Sequence, residues 1–269
     1  MEQRVKSAFR VLQILELFDR CRVPMAMSDI ALALDYPLSS TSVLLKTLVR
    51  SGYLNFDRQS RKYFPTTRVS VLGDWVPEAL FGSSRVLDAM HDLFAATGEG
   101  VGVNVKNDIY VQYLQNVHSI HPLRFVIETG SLRLITLTGI GWTLLSTLND
   151  DQIDKHVRRA NIVAGPSGRI EPGVVIAKAH EIQRSGYCYV EDKPFAGGAT
   201  LTALIPMRIG EQPVALSLGG ALARMRENKE RYLRALMDTI DLLRTDRPEN
   251  DKRAADGATN APSATGIKT

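Results

Sequence analysis

The chain has 269 residues, 44% of them hydrophobic, with 33 Lys and Arg against 29 Asp and Glu. That length and apolar content supply the cores of one large domain or two ordinary ones and exclude disorder throughout. No apolar run reaches the ~18 residues of a membrane span, and the opening Met1-Glu2-Gln3-Arg4 carries no signal-like apolar stretch, so a soluble, cytoplasmic protein without membrane contact is expected. Cys21 and Cys188 stand far apart in no ligand spacing, so neither a disulfide framework nor a metal site is expected, and no cofactor. The positive excess sits in the first quarter: residues 1–72 hold eleven Lys and Arg and six Asp and Glu, and the remainder is close to neutral. A basic module beside a neutral one suits contact with phosphate by the first and with something else by the second, although such a charge also occurs on domains that never meet nucleic acid.

In chain order, Val5, Ala8, Phe9, Leu12 and Leu15 recur at helical spacing, with Val11, Ile14 and Phe18 broadening the stripe, and predict a well-buried helix over 4–19. Ser28 precedes Asp29-Ile30-Ala31 as the capping hydroxyl of a short second helix, ended by Tyr36 and Pro37. A third helix starts at Ser39, turns Leu44, Leu45 and Leu48 inward and closes at Gly52. Residues 53–56 and 62–64 are short aromatic-rich runs around a charged tip, which reads as a β-hairpin, a wing. A connecting helix is predicted over 70–81 and another over 84–96. Beyond these, strands are expected at 100–105, 109–115, 123–128, 187–190, 201–207 and 213–218. Helices are expected from 144, over 150–159, over 172–185 and in the segment around Leu233 and Ile240. Residues 246–269 are rich in Pro, Ala, Gly, Thr and Asp and read as a disordered tail.

With its leucines turned inward, the third helix gathers Ser39, Ser42, Val43, Lys46 and Arg50 on the opposite face, small and polar at the start and basic at the end. A helix entering the major groove of double-stranded DNA needs short side chains where the backbones come closest and cations near the flanking phosphates. Ser28, Ser40 and the wing's Arg58, Arg61 and Lys62 complete the expected DNA-binding set. A solvated helix face is the plain alternative for any one such helix. Together with the tight turn, the wing and the charge asymmetry, the pattern points to a winged helix-turn-helix.

Several segments carry a resemblance that covers residues 4–244. Ser28-Asp29-Ile30-Ala31, Pro37-Leu38-Ser39-Ser40-Thr41-Ser42, Ser51-Gly52-Tyr53-Leu54 and Arg61-Lys62-Tyr63 are followed, in order, by Thr97-Gly98-Glu99, Gly141-Trp142-Thr143-Leu144-Leu145, Ser185-Gly186-Tyr187 and Ala215-Leu216-Ser217-Leu218-Gly219-Gly220. The chain resembles the IclR family of bacterial transcriptional regulators. The resemblance implies an α+β architecture: a winged helix-turn-helix at 1–72, a helical linker at 73–96, and a GAF-like or PAS-like effector-binding and dimerisation domain at 97–245. It implies operator DNA as a partner, a small-molecule effector, and a homodimer or dimer of dimers. Carried over onto this sequence, its pocket falls at Thr138, Gly139, Asp192, Thr202, Ser217 and Gly219. Thr202 stands where the family often has a cysteine and Gly219 where a second serine is frequent, which favours a larger, more apolar ligand.

No catalytic residues are expected. Gly165-Pro166-Ser167-Gly168 lacks the frame of a nucleophile elbow and reads as a loop. Gly98-Glu99-Gly100-Val101-Gly102 resembles a phosphate loop by glycine count alone. His118 and His121 have a helical ligand spacing, but Pro122 and strand-like surroundings speak against a helix there. The rival reading, a GAF-like enzyme with a nucleic-acid-binding tether, needs a nucleophile and base that the sequence does not offer.

Overall fold

The computed structural model describes residues 5–81 and 85–245. The chain divides after Gly82 into two compact units. The tail expected at 246–269 lies outside the described residues, as do residues 1–4.

The first unit contains α1 (Lys6–Cys21), β1 (Met25–Ala26), α2 (Met27–Leu34), α3 (Leu38–Arg50), β2 (Leu54–Asp57), β3 (Lys62–Pro65), α4 (Arg68–Val71) and α5 (Val76–Phe81). Its antiparallel sheet has the order β1-β3-β2. Ile14, Leu17 and Phe18 of α1, Ile30 of α2, Leu45 and Leu48 of α3 and Leu54 of β2 form one core, each side chain gaining about 1.5–3 kcal/mol from burial. The face of α1 differs from expectation. Val5 and Leu12 are exposed and Phe9 is 40% exposed, because α1 carries two apolar stripes and only packing against α2 and α3 selects one. Ser28 does not cap α2; Ala26 does, its backbone N–H donating to the Asp29 carboxylate at 3.3 Å. In α3 the buried positions are Thr41, Leu45 and Leu48, while Leu44 is half-buried. Gly52 ends α3 as expected, at a left-handed φ of 79°, with its N–H bonded to Val49 and the Tyr53 N–H to Leu48. The single helix expected over 70–81 is broken at Gly73-Asp74, and Pro77, which has no N–H to give, sits in the first turn of α5.

The second unit contains α6 (Arg85–Thr97), β4 (Gly100–Asn107), β5 (Tyr110–Val117), β6 (Leu132–Leu134), a 3₁₀ turn (Ile135–Leu137), α7 (Gly139–Leu145), α8 (Asp150–Gly168), α9 (Pro172–Ser185), β7 (Cys188–Glu191), β8 (Gly198–Ile209), β9 (Gln212–Ala221), α10 (Leu222–Glu227) and α11 (Lys229–Thr245). Six antiparallel strands run in the order β6-β5-β4-β9-β8-β7. Helices α6 and α11 pack on each other and on the sheet; α7 packs on β7, β8 and β9 and is backed by α9, which packs with α8. The α+β architecture is the one expected, and it is consistent with a GAF-like or PAS-like unit.

Three details depart from the sequence reading. Residues 123–128 are not a strand: the chain runs irregularly from β5 to β6, since Phe125 stacks on Phe195 with ring centroids 5.1 Å apart instead of joining a ladder. Strand β6 went unread, being three residues long. Residues 165–168 fall inside the bounds of α8 across a kink at Gly165, whose φ is 67°, rather than in a loop.

Candidate functional site

Two sites emerge, one in each unit. In the first, α3 exposes Ser39, Val43, Lys46 and Arg50, with Ser40 and Ser42 half-buried, and Ser28 is exposed on α2. Val43 is 64% exposed and stands as an apolar spot on that polar face. The hairpin tip carries exposed Arg58 and Arg61, with Lys62 beginning β3. Asp57 shapes that tip: its carboxylate accepts from the Gln59 and Ser60 N–H groups at 3.0 and 3.1 Å and from the Ser60 hydroxyl at 2.5 Å. These bonds, the Ser60 hydroxyl first, hold the Asp57 carboxyl below its ordinary pKa. Among the described residues Lys46, Arg50, Arg58, Arg61 and Lys62 take part in no ion pair. Their charges stay available to an external anion.

In the second unit a cavity partly open to solvent is lined by β4, β5, β8 and β9, by the first turn of α7 and by the segments before β6 and before β8. Gly100, Gly102, Gly198, Gly219 and Gly220 belong to its lining. Their missing side chains make the room: a methyl group at Gly102 would stand 2.7 Å from Asn116 Oδ1 and 3.2 Å from Ser217 Oγ. Val101, Ile127, Ile140 and the stacked Phe125 and Phe195 give it an apolar wall. Its polar lining comprises Tyr113, Asn116, His118, Lys193, Thr200 and Ser217. Tyr113 is 1% exposed, and burial pushes its hydroxyl up to about 12, with the positive charge of Arg133 acting the other way. The Tyr113 hydroxyl and the Asn116 side-chain nitrogen are buried and have no hydrogen-bond partner among the described residues.

Of the six expected pocket residues, Ser217 and Gly219 line this cavity and the other four do not. The Thr138 hydroxyl accepts from the Gly141 N–H at 2.8 Å as the N-cap of α7. A methyl group on Gly139 would meet Val190 Cγ1 at 2.5 Å, so that glycine lets α7 sit against β7. Asp192 is exposed and accepts from the Gly197 N–H at 2.7 Å, closing the loop that carries Lys193 and Phe195. Thr202 pairs with Ser217 across the ladder and is fully buried, its hydroxyl without a hydrogen-bond partner among the described residues. Sequence reasoning missed Tyr113 and Asn116 for a geometrical reason. Three apart, they belong on opposite faces of a regular strand, but the ladder shifts register between Val103 and Asn104, so Tyr113 pairs with Asn104 and Asn116 with Gly102. The bulge turns both to one face.

The IclR helix-turn-helix domain model matches residues 7–58, and the model for the C-terminal part of the bacterial transcriptional regulator IclR matches residues 84–242. This chain belongs to the IclR family. Its similar relatives include the transcriptional repressor AllR of Salmonella typhimurium, 23% identical over 229 residues, 82% of this chain and 81% of that protein. The repressor IclR of Escherichia coli is 22% identical over 241 residues, 84% of each. Among solved structures, the effector domain of the transcriptional regulator IclR from Acinetobacter sp. ADP1 is 41% identical, spans 63% of this chain and 99% of that one, and superposes with a TM-score of 0.60. The Thermotoga maritima IclR, 17% identical, covers 89% of this chain and 98% of its own with a TM-score of 0.70, which shows the shared fold.

Within this IclR-family chain a buried ion pair fixes one cavity wall. Glu99, fully buried, accepts from Arg224 Nε at 2.7 Å and Nη2 at 3.1 Å, and from the Ser119 hydroxyl at 3.3 Å. Arg224 Nη2 also donates to the Leu123 carbonyl at 2.9 Å. The segment that delivers Phe125 and Ile127 is thereby tied to α10. No helix among the described residues is long and apolar enough to cross a membrane.

Proposed function

We propose that this regulator represses transcription in the cytoplasm by binding double-stranded operator DNA, with α3 in the major groove and the hairpin tip on flanking phosphates, and that a small organic acid or aromatic catabolite in the cavity modulates that binding. The observation that carries the DNA reading is the set of five cations with no ion pair among the described residues, Lys46, Arg50, Arg58, Arg61 and Lys62, flanking the short side chains Ser39, Ser40 and Ser42. Phosphate contacts set affinity and base contacts set sequence, so neutralising one cation weakens all DNA alike and lowers the salt slope by about one unit. A salt titration on operator and random DNA of the Arg50→Gln, Arg58→Gln and Arg61→Gln variants tests this; unchanged affinity in all three sinks the groove assignment. Effector modulation is supported by the glycine-lined cavity, whose lining residues include the buried Tyr113 hydroxyl and Asn116 side-chain nitrogen, both without a partner among the described residues. Two half-sites call for a homodimer or a dimer of dimers, and the exposed Val71, Leu72 and Trp75 offer apolar surface for it. Sedimentation at micromolar concentration is expected to give at least twice the monomer mass.

A further inference from the structure

The amino end of α3, which carries Ser39, Ser40, Ser42 and Val43, has little core beneath it. Pro37, Leu38 and Ser39 are exposed and Ser40 is half-buried. Of the buried positions Thr41, Leu45 and Leu48, only Thr41 lies in that half, and its hydroxyl donates to the Pro37 carbonyl at 3.1 Å, beside its own first turn. Leu45 and Leu48, by contrast, belong to the core of the unit. Ser39 precedes Leu45 by about 9 Å along the axis, so a tilt of roughly 10° about Leu45 carries it about 1.5 Å. That displacement takes a hydrogen bond to a base edge beyond its range, whereas long Arg and Lys side chains can follow a phosphate.

Immediately before this end, Tyr36 ties the turn to both neighbouring helices. Its backbone N–H donates to the Ala31 carbonyl of α2 at 2.9 Å. Its half-buried side chain is held from α1: the hydroxyl donates to Gln13 Oε1, and the Arg10 guanidinium lies over the ring, 4.6 Å from its centroid. Arg10 and Gln13 are three apart on α1 and so share one side of it. The ring is gripped on its face by a cation and at its tip by an acceptor. Arg10 takes part in no ion pair among the described residues.

We propose that Arg10, Gln13 and Tyr36 form a clamp that positions the amino end of α3 against the base edges, so that sequence discrimination depends on three positioning residues that contact no base. The inference rests on the reading that α3 enters the major groove and adds what aims it there.

Competition binding on the full chain tests it, with an operator selected from random duplexes by the wild-type protein and a scrambled duplex of the same length. Tyr36→Leu removes both side-chain tethers and is expected to lower the operator-to-scrambled affinity ratio at least about tenfold. Tyr36→Phe, which keeps the ring under Arg10, and Gln13→Leu are each expected to lower it about threefold. Affinity for the scrambled duplex and its salt slope stay at wild-type values in all three, because the phosphate contacts are untouched. A merely structural defect lowers both affinities together and leaves the ratio unmoved. Should Tyr36→Leu fail to fold in a melting curve, Tyr36→Phe and Gln13→Leu read the same ratio and decide. Arg10→Gln is expected to lower the ratio about threefold with an unchanged salt slope; equal weakening on both duplexes with a slope lower by about one unit would make Arg10 a phosphate contact instead. An unchanged ratio in the Tyr36 and Gln13 variants overturns the inference. Arg50→Gln, Arg58→Gln and Arg61→Gln separate it from the reading beneath it. If they weaken both duplexes while the Tyr36 variants keep their ratio, the clamp fails and the groove assignment stands; if they change neither affinity, it is the groove assignment that fails.

Discussion

Replacing Arg224 by Met removes the guanidinium from Glu99 while keeping much of the side chain's length. Glu99 is fully buried and would lose both short bonds, at 2.7 and 3.1 Å, keeping the longer one from Ser119 and the His121 imidazole at 3.8 Å. Breaking a buried pair from one side costs about 3–5 kcal/mol, because the remaining charge is stranded away from water. The Arg224 side chain is 25% exposed, which lets some water reach the site and favours the lower half of that range. For a unit of this size each kcal/mol lowers the melting point by about 2–4 °C, so a drop of roughly 6–15 °C is expected for the second unit. Differential scanning calorimetry on the full chain, with urea denaturation to obtain the free energy, measures it. The double variant Glu99→Gln/Arg224→Met removes the stranded charge and is expected to recover part of the loss. The Leu123 carbonyl also loses its donor, so the segment bearing Phe125 is released from α10. A cost below about 1 kcal/mol, or a double variant no more stable than Arg224→Met, refutes the claim that this pair is buried and mutually dependent.

Three other outcomes follow from the same geometry. A methyl group at Gly141 would stand 1.9 Å from the Ile135 carbonyl oxygen, whereas one at Gly139 would meet the tip of Val190; Gly141→Ala is expected to lose at least about 3 kcal/mol and Gly139→Ala distinctly less, and matched denaturation curves would refute this difference. Arg226, hydrogen-bonded to Glu191, holds that carboxyl at about 2. A depressed folded pKa stabilises the fold above the unfolded value near 4.3 and loses that contribution as pH falls toward 2, so an NMR titration of Glu191 is expected to show a midpoint near 2 that rises in Arg226→Gln. Val43, exposed on α3, is suited to a thymine methyl. Replacing that thymine by deoxyuridine in a selected operator is expected to cost wild type about fourfold in affinity, one methyl group's burial, and to cost Val43→Ala much less.

The sequence by itself determined the order and kind of most elements, because local rules govern them: the 3.6-residue period of α3, the left-handed Gly52 that ends it, the hairpin around a charged tip, and the apolar runs of β8 and β9 on either side of a turn. It also placed Ser39, Val43, Lys46 and Arg50 on one exposed face, since a helix's exposed side follows once its leucines are turned inward. Ser217 and Gly219 reached the cavity through the family resemblance. Only the tertiary structure decided which stripe of α1 is buried, because Val5, Phe9 and Leu12 are as apolar as Ile14, Leu17 and Phe18 and the choice lies with α2 and α3. It alone brought Tyr113 and Asn116 together, because a register shift between strands β4 and β5 overrides the two-residue period. It alone joined Glu99 to Arg224 across 125 residues of chain. Spacing along the chain records local geometry, whereas bulges, facing helices and distant ion pairs are set by what each residue meets after folding.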